Sequence, residues 1–353
     1  MSRSLSRKDF LCLSTLGMGA LTGGRLLSAC NPAPAPAATA VPSTVTVAAT
    51  QPSVIPNPEI FQFYPTSPSK VIHTHHAGAW AGEKLTPAAL QEMVDDSITN
   101  LTGLADAKEA WAALFKPTER IAIKVNAFRN STIWTHAPLV QAVTDSLVEA
   151  GHPAEQIVIY DYMSDELKTA GFTLNPDGPG VRCYGTDSRY EEGWKVDSVD
   201  VQLSAILLDC DALINMPVLK SHMIAAMTYS LKNHFGSVSY PDGLHGNIDA
   251  KIAGLNALPE IKDKTRLVIG DALEANLRYK NSWPYWEADW KGDSIVMSYD
   301  PVAVDTVGAQ ILGTALEDEE FTARAIAGFD EAAKLGLGTN DPANMNVIER
   351  KLG

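Results

Sequence analysis

The order of apolar and polar residues follows two different periods along the chain. Apolar side chains recur every three or four positions in residues 86–104 and 137–150, a spacing that predicts amphipathic helices. Short, nearly continuous apolar runs at 121–126, 157–161 and 212–215 are typical of buried strands. Because strands and helices alternate, the pattern predicts an α/β fold with a mostly parallel central sheet, flanked by helices in Rossmann-like layers.

The second half of the chain continues this pattern. Two further strands and a further helix are predicted at 266–271, 294–298 and 301–312. Residues 223–233 also predict a helix, in which Thr228 and Lys232 lie four positions apart and therefore share one face. Residues 237–247 predict a loop that is long enough to cover a site.

Polar side chains are concentrated between residues 215 and 236, directly after the predicted strand at 212–215. In open parallel sheets, ligands bind beyond the carboxyl ends of the strands, so we expect the functional site there. The candidate catalytic residues are His222, Lys220 and Lys232. The candidate ligand-binding residues come from this stretch and from other strand ends: Lys124, Asn126, Thr228, Asn233, Asp271 and Asp305.

These residue types suit an anionic ligand. Lys124, Lys220 and Lys232 would supply positive charge to a phosphate or carboxylate group, and the two asparagines would orient it. His222, whose ordinary pKa lies near neutral pH, could transfer a proton or act as a ligand. The two aspartates could orient a histidine or bind a hard cation. The alternative is a structural network of ion pairs among these lysines and aspartates.

Histidines are frequent in the predicted strand at 71–78. In an extended strand His73 and His75 share one face, whereas His76 points to the other. Imidazole is a common protein ligand of zinc and related ions, so a divalent metal is compatible with the candidate ligands His75, His76 and His245. The alternative is a polar strand end whose histidines bind backbone carbonyls.

The composition excludes several kinds of protein and site. The 353-residue chain has a net charge of −14, whereas a protein that binds nucleic acid needs a basic surface. Its four cysteines lack the spacing of thiolate metal sites, so no iron–sulfur cluster is expected. Cys183 and Cys210 could form a disulfide outside the cytoplasm or remain two free buried thiols.

The N-terminal residues have the pattern of an export signal. Ser6–Leu11 resembles the twin-arginine motif with Lys8 at the second arginine position, and an apolar run follows. Leu27–Cys30 resembles a bacterial lipobox, in which Cys30 would be lipidated. We therefore expect a signal peptide at 1–29, with export by the twin-arginine or the general route.

The expected mature chain has two parts. Residues 30–68 are rich in proline and alanine and predict an extended tether, and residues 69–353 predict the α/β domain. The expected location is the bacterial cell envelope. The lipid at Cys30 would anchor the protein at the outer face of the cytoplasmic membrane or in the periplasm.

Several short motifs resemble one known family when taken together and in order. They are Lys124-Val125-Asn126, Pro217-x-x-Lys220-x-His222, Lys232-Asn233-x-x-Gly236, Gly270-Asp271 and Ser298-x-Asp300-Pro301-Val302-Ala303-x-Asp305. The set is similar to the DUF362 family, whose function is uncharacterised, and it extends over roughly residues 70–350. Some members of that family carry a ferredoxin-like segment with clustered cysteines. This chain lacks those cysteines, so the resemblance does not imply electron transfer.

Two functions fit these observations. The first is an enzyme of the cell envelope that acts on a small anionic substrate or uses an anionic cofactor, with lysine, asparagine and histidine at its site. The alternative is a non-catalytic lipoprotein that captures an anionic ligand or a metal complex. Neither function names the substrate or the reaction.

Overall fold

A ten-stranded sheet forms the centre of the fold. The structure is a computed structural model that describes residues 67–353. Its strands are β1 (Ser69–His76), β2 (Trp80–Ala81), β3 (Lys84–Leu85), β4 (Ile121–Lys124), β5 (Ile157–Tyr160), β6 (Arg182–Cys183), β7 (Tyr190–Val196), β8 (Val199–Ser204), β9 (Ala212–Asn215), β10 (Val218–His222), β11 (Ala226–Thr228), β12 (Thr265–Asn276), β13 (Trp290–Ser298) and β14 (Met345–Leu352).

Helices connect these strands and cover the sheet. They are α1 (Pro87–Thr102), α2 (Ala107–Leu114), α3 (Ala137–Glu149), α4 (Ser164–Thr169), α5 (Ala205–Asp209), α6 (Ser230–Asn233), α7 (Ile248–Asn256), α8 (Pro259–Lys262), α9 (Pro301–Leu316), α10 (Glu319–Ala327) and α11 (Asp330–Lys334). Asp300 caps α9, because its carboxylate accepts the backbone N–H groups of Val302 and Ala303. Among residues 67–353, no helix combines the length and apolar character needed to cross a membrane.

The strand order confirms the predicted fold class. The main order is β14-β1-β13-β12-β9-β4-β5-β6, and β10 pairs with β12 and with β11 beside it. Each neighbouring pair from β12 through β6 is parallel, as are β14 with β1 and β10 with β12. The antiparallel pairs of this sheet involve β13 and the hairpin of β10 and β11. The sheet is therefore mostly parallel, and its parallel strands end along a common edge.

Apolar clusters pack on both faces of the sheet. In β4, Ala122 belongs to one cluster, whereas Ile121 and Ile123 belong to the other, as expected for a strand buried on both faces. Cys210 packs in the first cluster and Cys183 in the second. Both are free thiols, so the alternative of two free buried cysteines is confirmed.

The predicted helix at 223–233 is wrong. Residues 218–222 and 226–228 form the antiparallel hairpin of β10 and β11, in which Lys220 lies opposite Thr228. The turn between the strands is fixed by the ring of His222, whose Nδ1 accepts the backbone N–H groups of Ile224 and Ala225. Ala226, the first residue of β11, has a left-handed backbone (φ 58°) that a right-handed helix does not allow, so helical structure starts only at α6.

The predicted export signal, the lipidation site Cys30 and nearly all of the predicted tether lie outside the described residues. Those predictions stay predictions. The described chain enters the sheet directly with β1, at Ser69.

Candidate functional site

The candidate site is built around a lysine at the end of β4 and an aspartate directly after β5. Lys124 Nζ lies 2.6 Å from Asp161 Oδ1 and also donates to the carbonyl of Val125 at 2.7 Å. Asp161 Oδ2 accepts the backbone N–H of Ala127. Lys124 and Asp161 are both buried. Burial lowers the pKa of Lys124, and the charge of Asp161 opposes that effect.

Two asparagines extend this pair toward the hairpin. Asn233 Oδ1 lies 3.4 Å from Lys124 Nζ and 3.5 Å from Asn126 Nδ2, and Asn233 Nδ2 donates to Asn215 at 2.8 Å. Asn126 Oδ1 then accepts a hydrogen bond of 2.7 Å from Lys220 Nζ. A continuous set of hydrogen bonds therefore joins the ends of β4 and β9, helix α6 and strand β10.

Lys220 has only neutral hydrogen-bond acceptors. Besides Asn126, its Nζ donates to the carbonyl of Ile133 at 3.2 Å, and within residues 67–353 no carboxylate forms an ion pair with it. The side chain is buried. Burial lowers the pKa of Lys220 to about 7, although Asp161 acts in the opposite direction. A neutral amine has two hydrogens, and the two acceptors match them, so the nitrogen lone pair remains free.

Lys232, in α6, lacks any polar partner in the described part of the chain. Its Nζ lies 4.3 Å from the centroid of the Phe235 ring, a cation–π contact. Burial lowers the pKa of Lys232 to about 8, and the charge of the exposed Asp242 opposes this. Lys232 is therefore a partly buried cation that has no hydrogen-bonded counter-ion.

His222 is held as a neutral ring. Because its Nδ1 accepts two backbone N–H groups, the ring proton lies on Nε2, which donates to no described residue. Burial and the neighbouring Lys232 lower the pKa of His222 to about 2. His222 is thus a fixed N–H donor at neutral pH. Repeated gain and loss of a proton by this ring does not fit these surroundings.

Aromatic rings surround the histidine. The ring of His222 lies nearly parallel to those of Trp286 and His245, at centroid distances of 5.9 and 6.0 Å. Trp286 Nε1 donates to the carbonyl of Ser221, and Lys220 Nζ lies 5.8 Å from the Trp286 ring centroid. Trp286 is absent from the candidates drawn from the sequence. Trp286 is one of three tryptophans spaced three and four apart, with Trp283 and Trp290, and this spacing favoured core packing over the rim of a pocket.

The side chains of two predicted ligand-binding residues form no hydrogen bond with the lysines or asparagines of the site among residues 67–353. Asp305 is buried, and its two oxygens accept the N–H groups of Ser230 and Leu231 at the start of α6. Burial raises the pKa of Asp305 to about 8. Thr228 lies opposite Lys220 in the hairpin and makes no side-chain hydrogen bond with residues 67–353. Asp305 therefore positions α6, and with it Lys232, through the backbone.

Asp271 binds a histidine that the sequence did not single out. Asp271 Oδ2 accepts both the backbone N–H and Nδ1–H of His136 at 2.8 Å, and His136 Nε2 lies 3.5 Å from Glu274. Burial lowers the pKa of His136, but the two carboxylates outweigh this and raise it to about 10. His136 is thus charged and fixes the start of α3. Lone histidines give no sequence signal for such a partner.

The candidate metal ligands are not brought together. His76 lies 3.2 Å from Glu92 of α1, His245 stacks on His222, and His75 lies beside His73 and Glu349. The grouping of His75, His76 and His245 into one site is therefore wrong. The register of β1 explains this, since His75 and His76 point to opposite faces of the sheet.

The close contact of Gly236 with the buried ion pair gives a first prediction. A Cβ at this position would lie 2.3 Å from Asp161 Oδ1 and 2.7 Å from Lys124 Nζ. We expect Gly236→Ala to separate the pair and lower the free energy of unfolding by about 3–5 kcal/mol, the usual cost of breaking a buried pair. Urea unfolding measures this.

Gly246→Ala is the matched control, because a Cβ there meets only Lys251 Nζ, at 3.8 Å. It should change the free energy of unfolding by less than about 1 kcal/mol. Equal effects of the two substitutions would contradict the role of Gly236.

Two solved structures are partly similar to this chain. A crystal structure of a protein from Thermotoga maritima has 13% sequence identity and a TM-score of 0.39, and the match covers 67% of this chain and 60% of that one. The lactate racemase apoprotein from Thermoanaerobacterium thermosaccharolyticum has 12% identity and a TM-score of 0.34, with coverages of 58% and 50%. This chain thus spans less than two thirds of either protein.

No curated protein matches the chain. The model of the family described as Domain of unknown function (DUF362) matches residues 121–310, which is 190 of the 353 residues. The matched segment includes the candidate site from Lys124 to Asp305. The chain therefore belongs to the DUF362 family.

Proposed function

We propose that the candidate site binds a phosphate or carboxylate group of a small substrate or cofactor, and that the protein is an enzyme of the bacterial cell envelope. The ligand group would lie among Lys220, Lys232 and His222. These side chains come from β10 and α6, whose positions depend on the Lys124–Asp161 pair and on Asp305.

The observation that carries this proposal is the excess of positive groups over bonded carboxylates. Asn233 and Asn126 connect Lys124 to Lys220, and the charge of Lys232 acts on Lys220. The carboxylate bonded within this group, Asp161, pairs with Lys124. The charge of Lys232 disfavours the protonated form of Lys220 and is one cause of the lowered pKa of Lys220. A bound anion would remove this penalty and supply acceptors for the free donors.

His222 supports the same ligand in a different way. Its Nε2–H is a donor of fixed direction, and the ring stays neutral near Lys232 because its pKa is about 2. A neutral donor can bind an anionic oxygen without adding to the positive charge. This replaces the proton-transfer role that the sequence suggested for His222.

Lys220 favours catalysis over simple capture. A buried amine with a pKa of about 7 exists in both protonation states near neutral pH, which is the property of an effective general base or nucleophile. A site built for capture alone would gain from a lysine that stays charged. The non-catalytic ligand-binding lipoprotein remains the second candidate, and the locked neutral ring of His222 favours it.

Loss of Lys232 should weaken anion binding. With inorganic phosphate as the probe, we expect Lys232→Ala to raise the dissociation constant about tenfold or more, because one charge-assisted contact is lost. The concentration-dependent rise of the melting temperature with phosphate measures this. Without phosphate, the variant should be as stable as the parent protein, since Lys232 has no bonded partner there.

Lys108→Ala removes the same charge from the exposed face of α2 and serves as the control. It should leave the phosphate dissociation constant within about twofold. If phosphate fails to stabilise the parent protein, or stabilises both variants equally, the anion site is ruled out.

Anion binding should take up protons at mildly alkaline pH. The folded-state pKa values of Lys220 and Lys232, about 7 and about 8, lie below the ordinary value of 10.5. The free protein therefore binds fewer protons than its unfolded chain in this window and gains stability as pH rises through it. A bound anion raises both pKa values, so affinity should fall as pH rises from about 7 to 9.

Calorimetric titration with sulfate at pH 8 measures this proton uptake, because sulfate itself does not titrate there. Buffers with different ionisation enthalpies should give different heats for the parent protein. The difference should shrink in Lys220→Met. Equal heats in all buffers would show that neither lysine changes its protonation on binding.

The cell-envelope location rests on the sequence of residues 1–30 alone. If Cys30 is lipidated, Cys30→Ser should move the exported protein from the membrane fraction to the soluble fraction, since a lipid anchor no longer holds it. Fractionation followed by mass spectrometry of the N-terminal peptide measures this. A parent protein that is already soluble and carries no lipid would contradict the anchor.

A further inference from the structure

A second group of chemically active side chains lies near one edge of the sheet, on β1 and the edge strand β14. His73 Nδ1 lies 3.0 Å from the carboxylate of Glu349, and His75 Nε2 lies 4.0 Å from the same carboxylate. The two imidazole rings are 4.3 Å apart between centroids. One candidate ligand atom from each of the three residues falls within 4.8 Å of the others. None of these residues belongs to the lysine site.

Strand register puts these side chains on one face. His73 lies opposite Glu349 in the parallel pair of β1 and β14, and His75 lies two residues along the same strand. On the other side of β1, His75 lies opposite Ser294 of β13. The group therefore spans three adjacent strands, and backbone pairing rather than a loop fixes its spacing.

Burial increases steadily across the group. The side chain of Glu349 is 54% exposed, that of His75 is 37% exposed, and that of His73 is 9% exposed. A small ion can therefore reach the histidines from solvent past Glu349. Lys351, which lies opposite His75, is exposed and forms no ion pair within residues 67–353.

Two buried polar atoms of this face have no partner in the described residues. They are Nε2 of His73 and Oγ of Ser294. Buried polar atoms in folded proteins nearly always have a hydrogen-bond partner. Two buried atoms without a partner on adjacent strands therefore indicate that a ligand or ion is missing from this face. This observation is independent of the distances among His73, His75 and Glu349.

We propose that His73, His75 and Glu349 bind a divalent transition-metal ion, with zinc the best match. Two imidazole nitrogens and one carboxylate oxygen suit zinc and its neighbours, whereas calcium and magnesium require a set of oxygen ligands. Glu349, which now accepts from His73, would become a ligand through the same carboxylate. Three protein ligands leave a coordination position for water, to which the Ser294 hydroxyl could donate.

Metal titration of the full chain tests this site. We expect the melting temperature to rise with the logarithm of the zinc concentration above the dissociation constant, and cobalt to give visible absorption bands of a site with nitrogen and oxygen ligands. His75→Ala and Glu349→Gln should each raise the zinc dissociation constant at least about tenfold. Both positions are partly exposed, so the variants should fold, and circular dichroism checks this.

His76→Gln is the matched control, because His76 is the next residue on β1 but points to the opposite face, toward Glu92. It should leave the zinc dissociation constant unchanged within about twofold. The proposal is overturned if zinc fails to stabilise the parent protein, if His75→Ala binds zinc as the parent does, or if His76→Gln abolishes binding.

Discussion

The buried pair of Lys124 and Asp161 is the contact on which the candidate site depends. It joins the ends of two parallel strands, and Asp161 also holds the loop after β4 through Ala127. A buried charge that loses its partner is strongly destabilising, so this contact tolerates little change. Gly236 shows how tightly the pair is enclosed, since a Cβ there would displace the side chains of Asp161 and Lys124. The loop, β4, β5 and the segment after α6 therefore keep one relative arrangement.

The other two lysines of the site have weaker partners than Lys124. Among residues 67–353, Lys124 has a carboxylate, Lys220 has two neutral acceptors, and Lys232 has an aromatic ring but no polar partner. The innermost lysine thus stabilises the fold, and the outer two are available to a ligand. This gradient distinguishes the site from the ion-pair network that was its structural alternative, because in such a network each cation would have its own acid.

The sequence predicted the fold class well because the hydrophobic period of a strand or a helix is a local pattern. The runs at 121–126, 157–161 and 212–215 are buried on both faces and became β4, β5 and β9. The hairpin of β10 and β11 was mistaken for a helix because the left-handed backbone of Ala226, which interrupts a helix, leaves no mark in the sequence. β14 was missed because it is an edge strand rich in charged residues, with no long apolar run.

Within the site, the sequence located the right strand ends but not the roles. Lys124, Asn126, Lys220 and Asn233 form one hydrogen-bonded set, as their positions after strands suggested. Asp271 and Asp305 were expected near the ligand because Asp271 ends the predicted strand at 266–271 and Asp305 lies in the first turns of the predicted helix at 301–312. In the structure β12 continues past Asp271 to Asn276. The oxygens of Asp271 and Asp305 instead bind His136 and the start of α6. A sequence shows that a carboxylate is present, whereas its partner depends on contacts across more than seventy residues of chain.

The ring of His222 lies between the charged lysines of the site and the apolar tip of the hairpin. The charges of Lys232 and Lys220 help to lower the pKa of this ring. Its Nδ1 holds the backbone of Ile224, next to Met223, and both of these apolar side chains are exposed at the tip of the hairpin. The imidazole has no internal freedom between its two nitrogens. Any rotation of this ring must therefore move the hairpin tip with it, so the ring couples the exposed apolar tip to the buried lysines.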